Sequence, residues 1–336
     1  MISGCQHPPV RPHRGPPRPC RPSPLQADRA VAGVLLAGRY RLVERVGRGA
    51  TATVWRACDE LLNRVVAVKQ FAAPHSHGLA EARIAARVRH PNVAAVHDVL
   101  QHDRSYWLVM DYHPAGTLAG VLRGRRRLPP AIVAALGLQL LAALQAVHAA
   151  GVVHCDVKPA NLLLGEDGRL VLIDFGIAAA DGGDPTGRDD PHVVVGSPPY
   201  MAPELVRGET PGPAADLWSL GVTLYTAVEG RPPFPHGDPA PTLAAVLHDP
   251  PPPARLAGSL RPLLARLLVK DPAGRPSHDT VHALLTVAHP ATPTPTTLAS
   301  PRTGTDLRPT EPATTRACPG SAEHTVRAAD HVTVTY

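Results

Sequence analysis

The run His154-Cys155-Asp156-Val157-Lys158-Pro159-Ala160-Asn161 is followed, thirteen residues after Asn161, by Asp174-Phe175-Gly176. Moving a phosphoryl group from ATP to a hydroxyl needs a carboxylate to orient the acceptor. It also needs oxygen ligands to hold Mg²⁺ on the phosphates and a cation against the charge that builds on the transferring group. Asp156 can serve as the carboxylate, Asn161 and Asp174 as the metal ligands, and Lys158 as the cation. A lone His-x-Asp triplet carries little information; this order and spacing carries much.

Such a loop works only if other elements deliver a nucleotide to it. Gly47-Arg48-Gly49-Ala50-Thr51-Ala52-Thr53-Val54 lies between two expected strands, where glycines let backbone N–H groups approach phosphates closely. A glycine-rich hairpin is the plain alternative, and the strand–turn–strand setting argues against a dinucleotide-binding βαβ unit. Val66-Ala67-Val68-Lys69 ends an apolar strand on a lysine, ordinarily an edge or solvent residue. Short β-branched runs predict strands over 40–46, 53–57, 65–69, 93–100 and 105–110, with one helix over 79–88. Beyond Asp111-Tyr112, helical periodicity predicts helices over 117–123, 130–150, 214–229, 240–247, 259–268 and 278–287.

The bulk numbers fit a folded centre with irregular ends. The net charge is +6, but residues 1–39 hold six arginines against Asp28 alone, and residues 291–336 balance four arginines with four acids. The centre is therefore close to neutral, and no nucleic-acid partner is expected. Only three of the 34 basic residues are lysines, so Lys69 and Lys158 stand out in an arginine-rich chain. The five scattered cysteines show neither metal spacing nor a disulfide framework, which suggests a reducing, cytoplasmic setting. The N-terminus lacks the apolar core of a signal peptide, and the apolar run 131–153 is broken by Gln139, Gln145 and His148. That run reads as a buried amphipathic helix, and no membrane anchor is expected.

Taken together, these motifs resemble the eukaryotic-like serine/threonine protein kinases of bacteria, over about residues 38–288. The resemblance implies an α+β, bilobal protein-kinase fold: a small N-terminal antiparallel sheet with one helix, and a larger, mainly helical C-terminal lobe. The implied domains are a disordered Pro/Arg-rich extension (1–36), a kinase domain (37–288) and a disordered Thr/Pro-rich tail (289–336). Within the kinase domain the N-lobe is 37–110, the hinge 111–114 and the C-lobe 115–288. The implied cofactors are ATP and Mg²⁺, and the implied partners are proteins bearing Ser or Thr, with self-association left open.

The resemblance also assigns roles. Asp156 becomes the catalytic base and Lys158 its partner, while Lys69 and Glu81 form the ion pair that aligns the α- and β-phosphates. Glu81 is the only acid between Glu60 and Asp98. Nucleotide contacts fall to Gly47, Arg48, Gly49, Ala50, Thr51, Ala52, Val54, Ala67, Lys69, Met110, Asp111 and His113, with Met110 as gatekeeper beside the hinge. Asn161 and Asp174 bind Mg²⁺. Lys158-Pro159 resembles serine/threonine rather than tyrosine kinases. Ser197 keeps a hydroxyl for the catalytic Asp and Lys, Asp216 tethers the catalytic loop, and Arg275 pairs with Glu204.

Two positions depart from the family. Ala52 stands where a third glycine is usual, and Cys155 replaces the arginine that normally pairs with an activation-loop phosphate. Thr186 is the only hydroxyl residue between Ile177 and Val195, so activity should depend weakly on phosphorylation there. Cys155 reads as a small buried thiol rather than a redox sensor. A pseudokinase scaffold finds support only in Ala52 and Cys155. A small-molecule kinase shares the His-x-Asp loop, but Asp174-Phe175-Gly176, Ala202-Pro203-Glu204 and the Asp216 segment favour a protein substrate.

Overall fold

The computed structural model describes residues 32–48, 52–71, 85–102, 105–174, 179–180, 197–234 and 237–289. Glu81, Gly49, Ala50, Thr51, Thr186, both ends of the chain and most of the expected helix over 79–88 lie outside those residues.

The N-terminal lobe is an antiparallel sheet of six strands in the order β1-β2-β3-β4-β6-β5. These are β1 (Leu35–Leu36), β2 (Tyr40–Arg48), β3 (Ala52–Asp59), β4 (Arg64–Phe71), β5 (Val96–His102) and β6 (Ser105–Asp111). Alternation along β2 turns Tyr40 and Leu42 inward, where they join Trp55, Ala57, Val66, Val68, Trp107 and Val109 in one apolar cluster. The β2–β3 pairing shifts register between Leu42 and Glu44 and between Arg45 and Gly47, as the ladder nears the glycine-rich turn.

At the far edge, the Asp59 carboxylate is fully buried. It accepts two bonds of 2.8 Å from Arg39, one of 3.2 Å from the Leu62 amide and one of 3.4 Å from Arg64. The Arg39 bonds, outweighing burial, pull its pKa down to about 2. Because the folded value lies below the unfolded one, this stabilisation is fully present above about pH 4 and disappears as pH falls through about 2. Asp59→Asn should therefore cost about 1–3 kcal/mol at neutral pH. In denaturant melts the gap to wild type should narrow below pH 4; a gap constant down to pH 2 would contradict this.

The C-terminal lobe is built from α1 (Leu118–Arg125), α2 (Pro130–Ala149), α3 (Pro203–Val206), α4 (Pro213–Glu229), α5 (Pro239–His248), α6 (Arg261–Leu267) and α7 (His278–Ala288). Short strands β7 (Gly116–Thr117), β9 (Leu162–Leu164) and β10 (Leu170–Leu172) form a small sheet, and β8 (Val152–Val153) pairs with β11 (Ala179–Ala180). Helix α4 is buried continuously from Ala215 to Val228 and forms the lobe's axis. It ends at Gly230, whose φ of 82° and N–H bond to Thr226 close the last turn. A Cβ at Gly230 would sit 2.7 Å from the Arg126 carbonyl, so the close approach also demands glycine. Helix α2 is the one described helix long and apolar enough to span a bilayer, but here it packs against α4 and α7.

Three expectations shift for local reasons. Thr117 is not in a helix but caps α1, its hydroxyl accepting from the Gly120 amide at 3.1 Å. The strand expected over 93–100 begins at Val96. Val93 instead bridges to Leu172 and Ala94 donates to the Leu172 carbonyl at 3.0 Å, stitching the two lobes together. The helix expected over 259–268 splits into a 3₁₀ turn, Gly258–Leu260, and α6, because Pro262 lacks the N–H that would join them.

Candidate active site

The catalytic segment emerges from β8 as a tight loop held from below by Asp216. That carboxylate, on the first turn of α4 and fully buried, accepts from the His154 amide at 2.8 Å and the Cys155 amide at 2.9 Å. Burial alone would raise its pKa, but the hydrogen bond from His148 and the charges and amides around it hold it below the usual carboxylate range. The two amides converge because Cys155 adopts φ of 63°, a left-handed conformation disfavoured for any residue with a Cβ. Cys155 is buried, with Sγ 3.7 Å from the Val153 carbonyl.

His154 is fully buried, and burial pushes its pKa below the ordinary histidine range, so the ring is neutral. Its Nε2 donates to the Ile173 carbonyl at 3.2 Å, while Nδ1 accepts from the Asp156 amide at 3.2 Å. One imidazole thus ties the catalytic loop to the segment carrying Asp174.

Asp156 then faces the cleft. Lys158 Nζ donates to its Oδ2 at 2.6 Å and to the Ser197 hydroxyl at 2.7 Å. Asn161 Nδ2 donates to the same Oδ2 and to the Asp156 carbonyl, both at 2.9 Å. Among the described residues Oδ1 takes no bond, leaving it for an acceptor hydroxyl. Because the Asn161 amide nitrogen is committed to Asp156, its amide oxygen is what Asn161 can offer a cation.

Across the cleft, β4 presents Lys69, 6% exposed, in register with Val54 of β3 and Leu108 of β6. Its Nζ lies 3.1 Å from Asp174 Oδ1, a contact 105 residues long in sequence that joins sheet to helical lobe. Asp174, like Cys155, has φ of 63°. A non-glycine residue held left-handed at each end of the site marks strain that the surrounding bonds enforce.

The expected nucleotide contacts divide among the elements as follows. Gly47 and Arg48 end β2, Ala52 and Val54 begin β3, and Ala67 pairs with Met110 in the sheet above the cleft. Asp111 begins the connection to the lower lobe; its carboxylate accepts from the Ala95 amide at 3.2 Å and pairs with His97 at 2.7 Å. The His113 side chain lines a cavity of about 360 Å³ with Leu163, Glu166, Asp167, Arg169 and Val171, and burial holds its pKa down.

The donor set suits Mg²⁺. Asp174 and Asn161 offer hard oxygens. That matches an ion held by one or two protein oxygens together with substrate phosphates.

Below the site, Arg275 meets Glu204 in a buried fork, Nη1 to Oε1 at 2.6 Å and Nη2 to Oε2 at 2.7 Å. The remaining guanidinium protons go to the carbonyls of Val269, Ala214 and Lys270 at 2.9, 2.8 and 3.1 Å. His148, a polar residue in an otherwise apolar helix, is a partner of Asp216 at 2.7 Å that no local pattern signals.

A two-lobed frame with a buried lysine above and a carboxylate–lysine–asparagine cluster below is the architecture of a protein kinase. The chain belongs to the protein kinase family, whose domain matches residues 40–287. It is 38% identical to the serine/threonine-protein kinase PknA of Mycobacterium tuberculosis, over 79% of this chain and 65% of that protein. It is 35% identical to the probable serine/threonine-protein kinase SCO3848 of Streptomyces coelicolor (70% and 38%) and 36% identical to PkaA of the same organism (71% and 48%). The chain thus spans less than two thirds of the length of these relatives.

Proposed function

We propose that this chain is a serine/threonine protein kinase, transferring the γ-phosphoryl group of ATP to Ser or Thr hydroxyls of proteins, its own among them, in the cytoplasm. The observation that carries this reading is the Asp156–Lys158–Ser197 chain set beneath the Lys69–Asp174 bridge. These are the residue types that phosphoryl transfer calls for, a carboxylate for the acceptor hydroxyl, cations for the phosphates and oxygens for a metal.

In this mechanism the phosphates lie beneath the turn between β2 and β3, and Lys69 holds them. Asp174 and Asn161 would hold Mg²⁺, which would supply electrostatic neutralisation of the phosphate charge. Asp156 Oδ1 accepts the bond from the acceptor hydroxyl, whose oxygen attacks the γ-phosphorus as the bond to the ADP oxygen breaks. The proton passes to Asp156, and Lys158 stabilises the charge spread over the moving group. Glu81 serves as the partner of Lys69. With cysteine at 155, no arginine there awaits an activation-loop phosphate, so Thr186→Ala should leave kcat within about twofold of wild type. A tenfold or larger loss in steady-state phosphotransfer would overturn that reading.

The role of the metal pair has its own test. ATP affinity, read by calorimetry, should rise on adding Mg²⁺ to the wild-type chain, and Asp174→Asn should abolish most of that increment. An unchanged Mg²⁺ increment in Asp174→Asn would remove Asp174 from the metal site.

A further inference from the structure

Helices α2 and α7 run antiparallel and close together. At one end Gly137 lets them touch, since a Cβ there would stand 2.8 Å from Leu285 Cδ2. At the other end His148 Nδ1 lies 2.9 Å from Nε2 of His278, the first residue of α7, with ring centroids 5.0 Å apart and planes at 68°. His148 Nε2 in turn lies 2.7 Å from Asp216 Oδ2.

Proton counting fixes this array. The Asp216 carboxylate can only accept, so His148 Nε2 carries a proton. A neutral His148 then has a lone pair at Nδ1, which His278 fills by donating its Nε2–H. Two protons on the shared edge would oppose donor to donor at 2.9 Å, so the pair can take up only one further proton without separating.

We propose that His278 is a positioning residue of the phosphotransfer site: by donating to His148 Nδ1 it fixes the tautomer that serves Asp216, and Asp216 thereby holds the catalytic loop in its left-handed turn beside Asp156. This rests on the kinase reading above. The groups facing His278 are Asp279 on its own helix, His148 from α2 and Asp216 from α4. Burial first, and His148 second, push the His278 pKa below the ordinary histidine range. The N-terminal end of α7 disfavours a cation there as well. Both effects disfavour a cation on His278. A proton arriving from acidic solvent enters at the free Nδ1 of His278, leaves its Nε2–H on the shared bond and sets a positive charge against His148.

His278→Leu removes the donor, and His278→Gln restores an amide N–H near the same place. His278→Leu should lower kcat about fivefold at neutral pH, the loss of one hydrogen bond in the transition state, and leave the ATP KM unchanged. The acid limb of its pH–kcat profile should shift, and His278→Gln should recover most of kcat. Independently of activity, ¹⁵N-histidine NMR of the wild-type chain should show His278 Nε2 protonated, His148 Nδ1 unprotonated, and a coupling across the bond between them. The proposal is overturned if the Leu variant's kcat and acid limb superimpose on wild type, or if His148 Nδ1 carries the proton at neutral pH. Should the Leu variant fail to fold, the Gln variant and the NMR decide. A chain inactive in phosphotransfer but with the coupling present would sink the kinase reading and leave the histidine pair standing.

Discussion

Asp156→Asn should lower kcat by about 10²–10⁴-fold, the range expected when a general base is lost, with little change in ATP binding. Asn161 and Lys158 both bond Asp156 Oδ2, at 2.9 and 2.6 Å, so an amide at this position keeps one acceptor oxygen for them. What disappears is the negative charge and the second oxygen that orients the acceptor hydroxyl. Lys158 also loses the anion that balances it while keeping its bond to Ser197. Steady-state phosphotransfer beside calorimetric ATP binding separates the two quantities. A variant that loses affinity in proportion to kcat would place Asp156 in nucleotide binding instead of in the chemical step.

The second large effect lies outside the cleft. Glu204→Ala should destabilise the chain by about 3–5 kcal/mol, because it leaves a buried guanidinium without its counter-charge. Arg275 and Glu204 are 1% and 6% exposed at their side chains, and all five guanidinium protons have acceptors. Removing the carboxylate strands two of those protons in a place that solvent scarcely reaches. Removing both partners does not restore stability fully, since the carbonyls of Val269, Ala214 and Lys270 would then lose their donor. Denaturant unfolding of both single variants and the double variant measures the coupling; single losses below 1 kcal/mol with no coupling would contradict the account. The same change should also impair catalysis, because Glu204 opens the helix that follows Ser197, the hydroxyl bonded to Lys158.

What could be read from the sequence was what sits within a few residues. The interval from His154 to Asn161 is one loop, so its residue types translate directly into the Asp156 cluster. The strands bearing Lys69 and Met110 were legible because β-branched runs and burial coincide there. The long-range pairs Lys69–Asp174 and Arg275–Glu204 have no local signal. The second was expected only through the family resemblance, and the first was not foreseen. The left-handed turn at Cys155 left no trace either, because the strain is imposed by Asp216, 61 residues away. His148 and His278 show the limit most plainly. Each is an isolated polar residue in a helical pattern, and only the approach of α2 and α7 at Gly137 makes them partners. Likewise, the apolar pair Val93-Ala94 reads as strand but is spent on a bridge between lobes.

The most direct measurement is transfer of label from γ-phosphate-labelled ATP with Mg²⁺ by the purified chain, beside Asp156→Asn and Lys69→Met, followed by mapping of the modified residues. Label is expected on Ser or Thr, on the chain itself or on an added protein, and is expected to vanish in both variants. Transfer that persists in Asp156→Asn and Lys69→Met, or label confined to small molecules, would contradict the kinase reading.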